Sequence, residues 1–184
     1  MRVYFIGCHG SGKTTCARYV AKKHNLLLIT EVARMVLSEN ELQVDSLRYD
    51  MSTVNDYQSS VFYRQLSEEQ KYTSYVSDRS GLDSLAYSAQ HSNILPRLLA
   101  APELPPYLDI LRKSDSILFF VRPCKKTLKA DGVRENITFE GAVAIDAQIK
   151  FLLEMWELRY FQINIDNMQE RVRLIDNVLS LHKE

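Results

Sequence analysis

The sequence predicts an α/β fold: a parallel five-stranded sheet with helices on both faces. Three observations predict it. Short apolar runs rich in β-branched and aromatic residues alternate with stretches whose apolar residues repeat at helical spacing. The runs themselves lack apolar–polar alternation, which suits strands covered on both faces. A glycine-rich turn, Gly7-Cys8-His9-Gly10-Ser11-Gly12-Lys13-Thr14, joins the first run to the first helical stretch.

The elements follow in order. Val3–Ile6 reads as the first strand, and Lys13 to His24 as a helix with Cys16, Ala17, Val20 and Ala21 on one face. Asn25 marks a turn before a second strand, Leu26–Ile29, and a helix spans Glu31–Leu37. Residues 40–53 are polar and irregular, and they match no pattern. Val54–Lys71 reads as a helix with Val54, Tyr57, Val61, Phe62 and Leu66 near one face. Tyr75–Ser77 is a short strand ending at Asp78, followed by helical segments at Leu82–Ala89 and Tyr107–Leu111. Ile117–Val121 is the clearest buried strand. A long helix at Ala142–Leu158, a strand at Tyr160–Ile165 and a helix at Gln169–Leu181 complete the chain.

The turn at 7–14 fits G-x-x-x-x-G-K-[ST], the phosphate-binding P-loop, and it lies between a strand and a helix as that motif requires. Glycines let the backbone approach an anion without a Cβ clash, and exposed N–H groups at a helix N-terminus favour negative charge. The fold class is therefore that of a P-loop NTPase. The expected contacts to ATP are Gly7, His9, Gly10, Ser11, Gly12, Lys13, Thr14 and Thr15. Lys13 is placed to reach the β- and γ-phosphates and the Thr14 hydroxyl to hold Mg²⁺.

Composition bounds the partners. Among 184 residues, Lys plus Arg and Asp plus Glu each number 23, so the formal net charge is zero. That balance gives no support to broad binding of nucleic acid or an anionic membrane. No stretch approaches the ~20 apolar residues of a membrane span. The three cysteines, Cys8, Cys16 and Cys124, form no C-x-x-C pair, which argues against a disulfide framework or structural zinc and for a reducing, cytoplasmic setting. The length suits one domain over 1–184, with a small lid at about 123–136. A homodimer stays open.

Ligands of such sheets bind beyond the carboxyl ends of the strands. The residues there are chemically useful: Thr30-Glu31 with Arg34 one turn on, Asp78-Arg79-Ser80, then Arg122 with Lys125, Lys126, Lys129, Asp131 and Arg134, and Asp166-Asn167. Each group has a plainer structural reading. Glu31 and Arg34 can form a surface i,i+3 pair, Asp78 can cap the next helix, and the lysines can face solvent. Tyr57, Gln58 and Tyr63 either read an acceptor ring or fill the core.

The set Gly7–Thr14, Glu31-Val32-Ala33-Arg34, Asp78-Arg79-Ser80 and Asp131-Gly132-Val133-Arg134 resembles the small P-loop kinases of nucleosides and nucleotides. It is most similar to the AAA-type ATPase domain of ribosylnicotinamide kinase, with deoxynucleoside and thymidylate kinases as more distant likenesses. The resemblance implies an ATP- and Mg²⁺-dependent phosphotransferase with a nucleoside, nucleotide or related ribosyl small molecule as acceptor. It implies catalytic roles for Lys13, Glu31, Asp78, Arg79 and Arg134: Glu31 as general base, Asp78 with Thr14 on Mg²⁺, Arg79 on the transferred group or the acceptor, and Arg134 as a lid arginine. Pro123–Asn136, with its basic residues and Gly132, is the expected lid.

Two other readings stand beside this one. A nucleotide switch is suggested by Asp78-Arg79-Ser80-Gly81, which fits the D-x-x-G pattern of GTPases. Against it, Asn164-Ile165-Asp166-Asn167 replaces Asn-Lys-x-Asp, and Arg122-Pro123 stands where a motor would carry a carboxylate after the Ile117–Val121 strand. A polynucleotide 5′-hydroxyl kinase would want a basic groove, which the balanced charge does not supply.

Overall fold

The strand after the glycine loop's own is not its neighbour in the sheet. In the computed structural model, which describes residues 1–30, 32–39, 50–125 and 138–182, the strands are β1 (Arg2–Ile6), β2 (Leu27–Ile29), β3 (Tyr75–Asp78), β4 (Ser116–Val121) and β5 (Phe161–Ile163). Their order is β2-β3-β1-β4-β5, and every pairing is parallel. β1 is therefore central, between β3 and β4. Phe5 stands opposite both Asp78 and Phe119, so the end of β3 comes level with the start of the phosphate loop.

Parallel strands need crossovers, and helices supply them on both faces. These are α1 (Lys13–His24), α2 (Val32–Glu39), α3 (Met51–Gln70), α4 (Gly81–His91), α5 (Leu95–Leu99), α6 (Leu104–Arg112), α7 (Phe139–Met155) and α8 (Met168–Leu181). Alternate residues of β1 feed two separate cores. Val3 and Phe5 pack with Cys16, Ala17 and Val20 of α1 and Ile175 and Leu179 of α8. Tyr4 and Ile6 pack with Phe62 and Leu66 of α3, Leu82 and Leu85 of α4, and Ile145 and Ile149 of α7. These four β1 side chains, from Val3 to Ile6, are fully buried, and each such apolar burial is worth about 1.5–3 kcal/mol.

The expected five-stranded parallel sheet is present, with shifts at element ends that have local causes. The helix expected from Val54 begins at Met51, because Asp50 caps it by accepting from the Ser52 and Thr53 amides at 3.1 and 2.9 Å. The helix expected over Ala142–Leu158 runs from Phe139 to Met155. Thr138 caps its start, and Glu157 at φ 51° turns the chain out of it. The segment expected at Tyr107–Leu111 starts earlier, at Leu104, with prolines in the first turn where no intrahelical N–H is needed. α5, a single short turn, carries no periodic signal and was not expected.

Candidate active site

The phosphate loop is held from both sides. Gly7 has φ 149°, and a Cβ there would overlap the Val121 carbonyl oxygen of β4. Gly12 has φ 92°, and a Cβ there would lie 2.9 Å from Arg171 Nη1. Arg171, on α8, is fully buried behind the loop. It donates to the Ser11 carbonyl at 2.5 Å and, through Nε, to the Ile165 carbonyl. On the other side Asp83 of α4 accepts from the Gly7 amide at 2.9 Å. The hydroxyl of Tyr87, one turn further on, accepts from the His9 amide at 2.9 Å and contacts His9 Nδ1 at 2.5 Å.

Lys13 opens α1 and is 4% exposed. Its ammonium donates to the Cys8 carbonyl at 2.5 Å and to Ser11 Oγ at 3.3 Å. Burial, reinforced by the nearby Arg79 charge, pulls its pKa down to about 8. Thr14 donates through its hydroxyl to Asp78 Oδ2 at 2.6 Å, and Thr30 at the end of β2 reaches the same oxygen at 3.4 Å. The adjacency of β3 to β1 makes this pairing, so the carboxylate missing after β4 stands instead after β3.

Asp78 is not a helix cap. The cap of α4 is Ser80, whose Oγ accepts from the Leu82 amide, while Asp83 accepts from the Ser80 amide in return. Between them Arg79 sits at φ 99°, a left-handed conformation that strains a non-glycine residue. Its amide donates to the Phe5 carbonyl at 3.0 Å, which holds the turn against β1. The guanidinium lies over the Tyr87 ring, 5.1 Å from its centre. Burial works against its charge, but Tyr87, Asp83 and Asp78 outweigh that and hold its pKa above the ordinary arginine value.

Beside Arg79 a cavity of about 160 Å³ opens between α2, α3 and α4. Ala33, Tyr57, Gln58, Val61, Ser84 and Tyr87 line it together with Arg79 and Asp83. Gln58 is 7% exposed. Of the three residues left open between acceptor and core, Tyr57 and Gln58 line this cavity, while Tyr63 packs on Phe62 against the core.

The structure thus brings together Gly7–Thr14, Asp78 and Arg79. Thr15 is exposed at the start of α1 and Arg34 is exposed on α2. Arg122 is engaged by Asp146 of α7 through two contacts, at 2.9 and 2.7 Å, and is not free to join the site. Asn167 caps α8 by accepting from the Gln169 and Glu170 amides. Glu31, Arg134 and most of the expected lid lie outside the described residues, as do Lys126, Lys129 and Asp131.

Asp83, Tyr87 and Arg171 were not expected. Ser80-x-x-Asp83 is a capping-box pattern, and Tyr87 follows Asp83 by one helical turn, so those two were legible. An arginine inside a C-terminal helix carries no such signal.

Thr14 and Asp78 give a hydroxyl and a carboxylate, two hard oxygen donors, which fit Mg²⁺. Among the described residues no group of three or more His, Cys, Asp or Glu is arranged to hold a metal. A cation here would complete its shell with phosphate and water oxygens, as Mg²⁺ commonly does. No helix among the described residues is long and apolar enough to cross a membrane.

Comparison with known proteins agrees with the geometry. The family model described as an AAA domain matches residues 2–171. Among solved structures, deoxyadenosine kinase from M. mycoides with bound dATP is similar at 16% identity and a TM-score of 0.69, over 98% of this chain and 100% of that one. Shikimate kinase from Acinetobacter baumannii in complex with shikimate is similar at 14% identity and a TM-score of 0.56, over 98% and 91%. NadR in complex with NAD and AMP-PNP is similar at 13% identity and a TM-score of 0.72, with this chain fully covered against 49% of that one. No curated protein matches the chain. The chain belongs to the AAA domain family and has the fold of the small P-loop kinases.

Proposed function

We propose that this AAA-domain protein is an ATP-dependent phosphotransferase whose acceptor is a nucleoside, a nucleotide or a related ribosyl small molecule. The observation that carries the reading is the placement of Arg79. It directly follows Asp78 of the Thr14–Asp78 pair, joined at 2.6 Å, and lines a small cavity walled by side chains. A donor on the glycine loop and an acceptor in the cavity would meet at that guanidinium.

Each residue then has a role its chemistry supports. The loop amides and Lys13 hold the triphosphate, and the arriving negative charge favours the ammonium form that burial disfavours. Thr14 and Asp78 would hold Mg²⁺, which neutralises phosphate oxygens when bound. Arg79 stabilises charge on the transferred group, and its stacking on the Tyr87 ring holds the guanidinium beside the cavity before substrate arrives. Glu31, next after Thr30, serves as the base for the acceptor hydroxyl. The segment 123–136, with Arg134, closes over the phosphates and keeps water out.

The cavity favours a small acceptor. At about 160 Å³ it lies below the ~300–1,000 Å³ of sites for drug-sized ligands. Gln58 offers paired donor and acceptor groups and Tyr57 an aromatic face, a combination that suits a planar polar ring.

The test is transfer from γ-labelled ATP to a panel of nucleosides, nucleotides, nicotinamide riboside, shikimate and a short 5′-hydroxyl oligonucleotide. Label on a nucleoside, nucleotide or ribosyl compound supports the proposal. Label found only as free phosphate supports a switch instead, and label on shikimate or the oligonucleotide alone moves the acceptor class.

A further inference from the structure

The turn that carries Asp78 and Arg79 is fixed at both its ends by one buried polar cluster, and none of the roles above uses it. Glu69, in the last turn of α3, is 3% exposed. Its Oε1 accepts from Gln65 Nε2 at 2.6 Å and from Ser77 Oγ at 3.3 Å, and Gln65 also donates to Ser77 Oγ at 3.0 Å. Ser77 immediately precedes Asp78. At the other end of the turn, the Gly81 amide donates to the Tyr107 hydroxyl of α6 at 2.9 Å. A Cβ on Gly81 would lie 2.9 Å from the Tyr107 ring, so the fit there is close. The Glu69 carboxyl also interacts with the Tyr107 hydroxyl, which joins the two ends of the turn in one cluster.

We propose that Glu69 is a positioning residue: through Ser77 on one side and Tyr107–Gly81 on the other, it sets the geometry of the Asp78–Arg79 turn. This assignment rests on the proposed function only where it predicts a rate. A carboxyl is an expensive group to bury, and no salt bridge reaches this one among the described residues. The titratable groups around it are Tyr4 of β1, Tyr75 of β3, Asp83 of α4 and Tyr107 of α6, none of them cationic at neutral pH. Burial pushes the Glu69 pKa up to about 8, so at neutral pH the group is chiefly the uncharged acid. The acid brings a donor as well as acceptors into a cluster of hydroxyl and amide groups. An apolar side chain of similar size would fill the space without holding either end of the turn. The strain of Arg79 at φ 99° makes such holding necessary, since a left-handed non-glycine residue persists only where its surroundings fix it.

The test compares Glu69→Leu, Glu69→Gln and Tyr107→Phe in the full chain by amide hydrogen exchange and by phosphoryl-transfer kinetics. For Glu69→Leu, exchange across residues 77–82 should quicken by about tenfold or more while β1 and α1 keep their protection. In the same variant kcat should fall by about tenfold or more, with KM for ATP within about threefold of the parent. Glu69→Gln, which keeps hydrogen-bonding atoms at the position, should restore most of both. Should Glu69→Leu fail to fold, Tyr107→Phe carries the same expectation at Gly81. Parental exchange across 77–82, or faster exchange spread evenly over all elements, would overturn the proposal and leave Glu69 a plain core group. A parent chain that phosphorylates no acceptor would refute the proposed function, while the exchange result would still decide the role of Glu69.

Discussion

The glycine loop and the side-chain-lined cavity meet at Arg79 but are built in opposite ways. The loop is one continuous stretch of chain, Gly7–Thr14, whose shape is set by backbone conformation and braced by Arg171 on one side and Asp83 on the other. The cavity is assembled from side chains of α2, α3 and α4, contributed by residues as far apart as Ala33 and Tyr87. A site made of backbone amides recognises what all nucleoside triphosphates share. A wall of side chains recognises what distinguishes one acceptor from another. Changes on the loop side should therefore abolish the reaction for every substrate, and changes on the cavity side should redistribute it among acceptors.

The largest effect is expected at Lys13. Lys13→Ala should take transfer below detection, a loss above about 10⁴-fold, with an unchanged far-ultraviolet dichroism spectrum. Next comes the junction: Arg79→Ala should lower kcat by about 10²–10⁴-fold for all acceptors alike. A loss within about threefold in steady-state assays would remove Arg79 from the chemistry. Behind the loop, Arg171→Met leaves the Ser11 and Ile165 carbonyls without their donor. It should cost about 2–4 kcal/mol in chemical denaturation and raise KM for ATP more than KM for the acceptor. On the cavity side, Gln58→Leu should raise KM for the acceptor by about tenfold while KM for ATP stays parental. If KM for ATP moved instead, the division between the two walls would fail.

The last effect is read as a slope with pH. The Glu69 pKa is raised in the folded chain to about 8, from the ordinary carboxyl value. Above that ordinary value, at about pH 4.3, the unfolded chain releases this proton while the folded chain retains it. Folding stability from this group thus declines as pH rises toward about 8 and levels off beyond. Glu69→Gln lacks that loss. Its stability relative to the parent should grow between pH 5 and pH 8 in urea titrations, and a constant difference across that range would sink the assignment.

Much of the fold was legible because its signals are local. A parallel strand covered on both faces must be apolar throughout, and Val3–Ile6 and Ile117–Val121 could be read for that reason. The glycine loop was legible because its chemistry requires fixed residue types at fixed spacing. Tyr57 and Gln58 were legible only as candidates. Their helical spacing fits a core stripe as well as a site, and Tyr63, on the same stretch, packs on Phe62. Arg171 and Glu69 were not legible at all. Each acts through a contact between distant elements, at separations along the chain that no periodicity records.

The sequence by itself determined the five strands, the longer helices, the glycine-loop motif between β1 and α1 and which polar groups follow each strand, since these depend on residues close in the chain. The resemblance already paired Asp78 with Thr14, and the tertiary structure supplied the cause: β3, not β4, brings its carboxylate against Thr14, because strand order depends on how the crossover helices pack. It also decided that Arg122 is taken by Asp146 while Arg79 faces the cavity. Both arginines follow a buried strand. What separates them is whether packing set a carboxylate beside them in two-point contact, and that is a matter of three-dimensional adjacency.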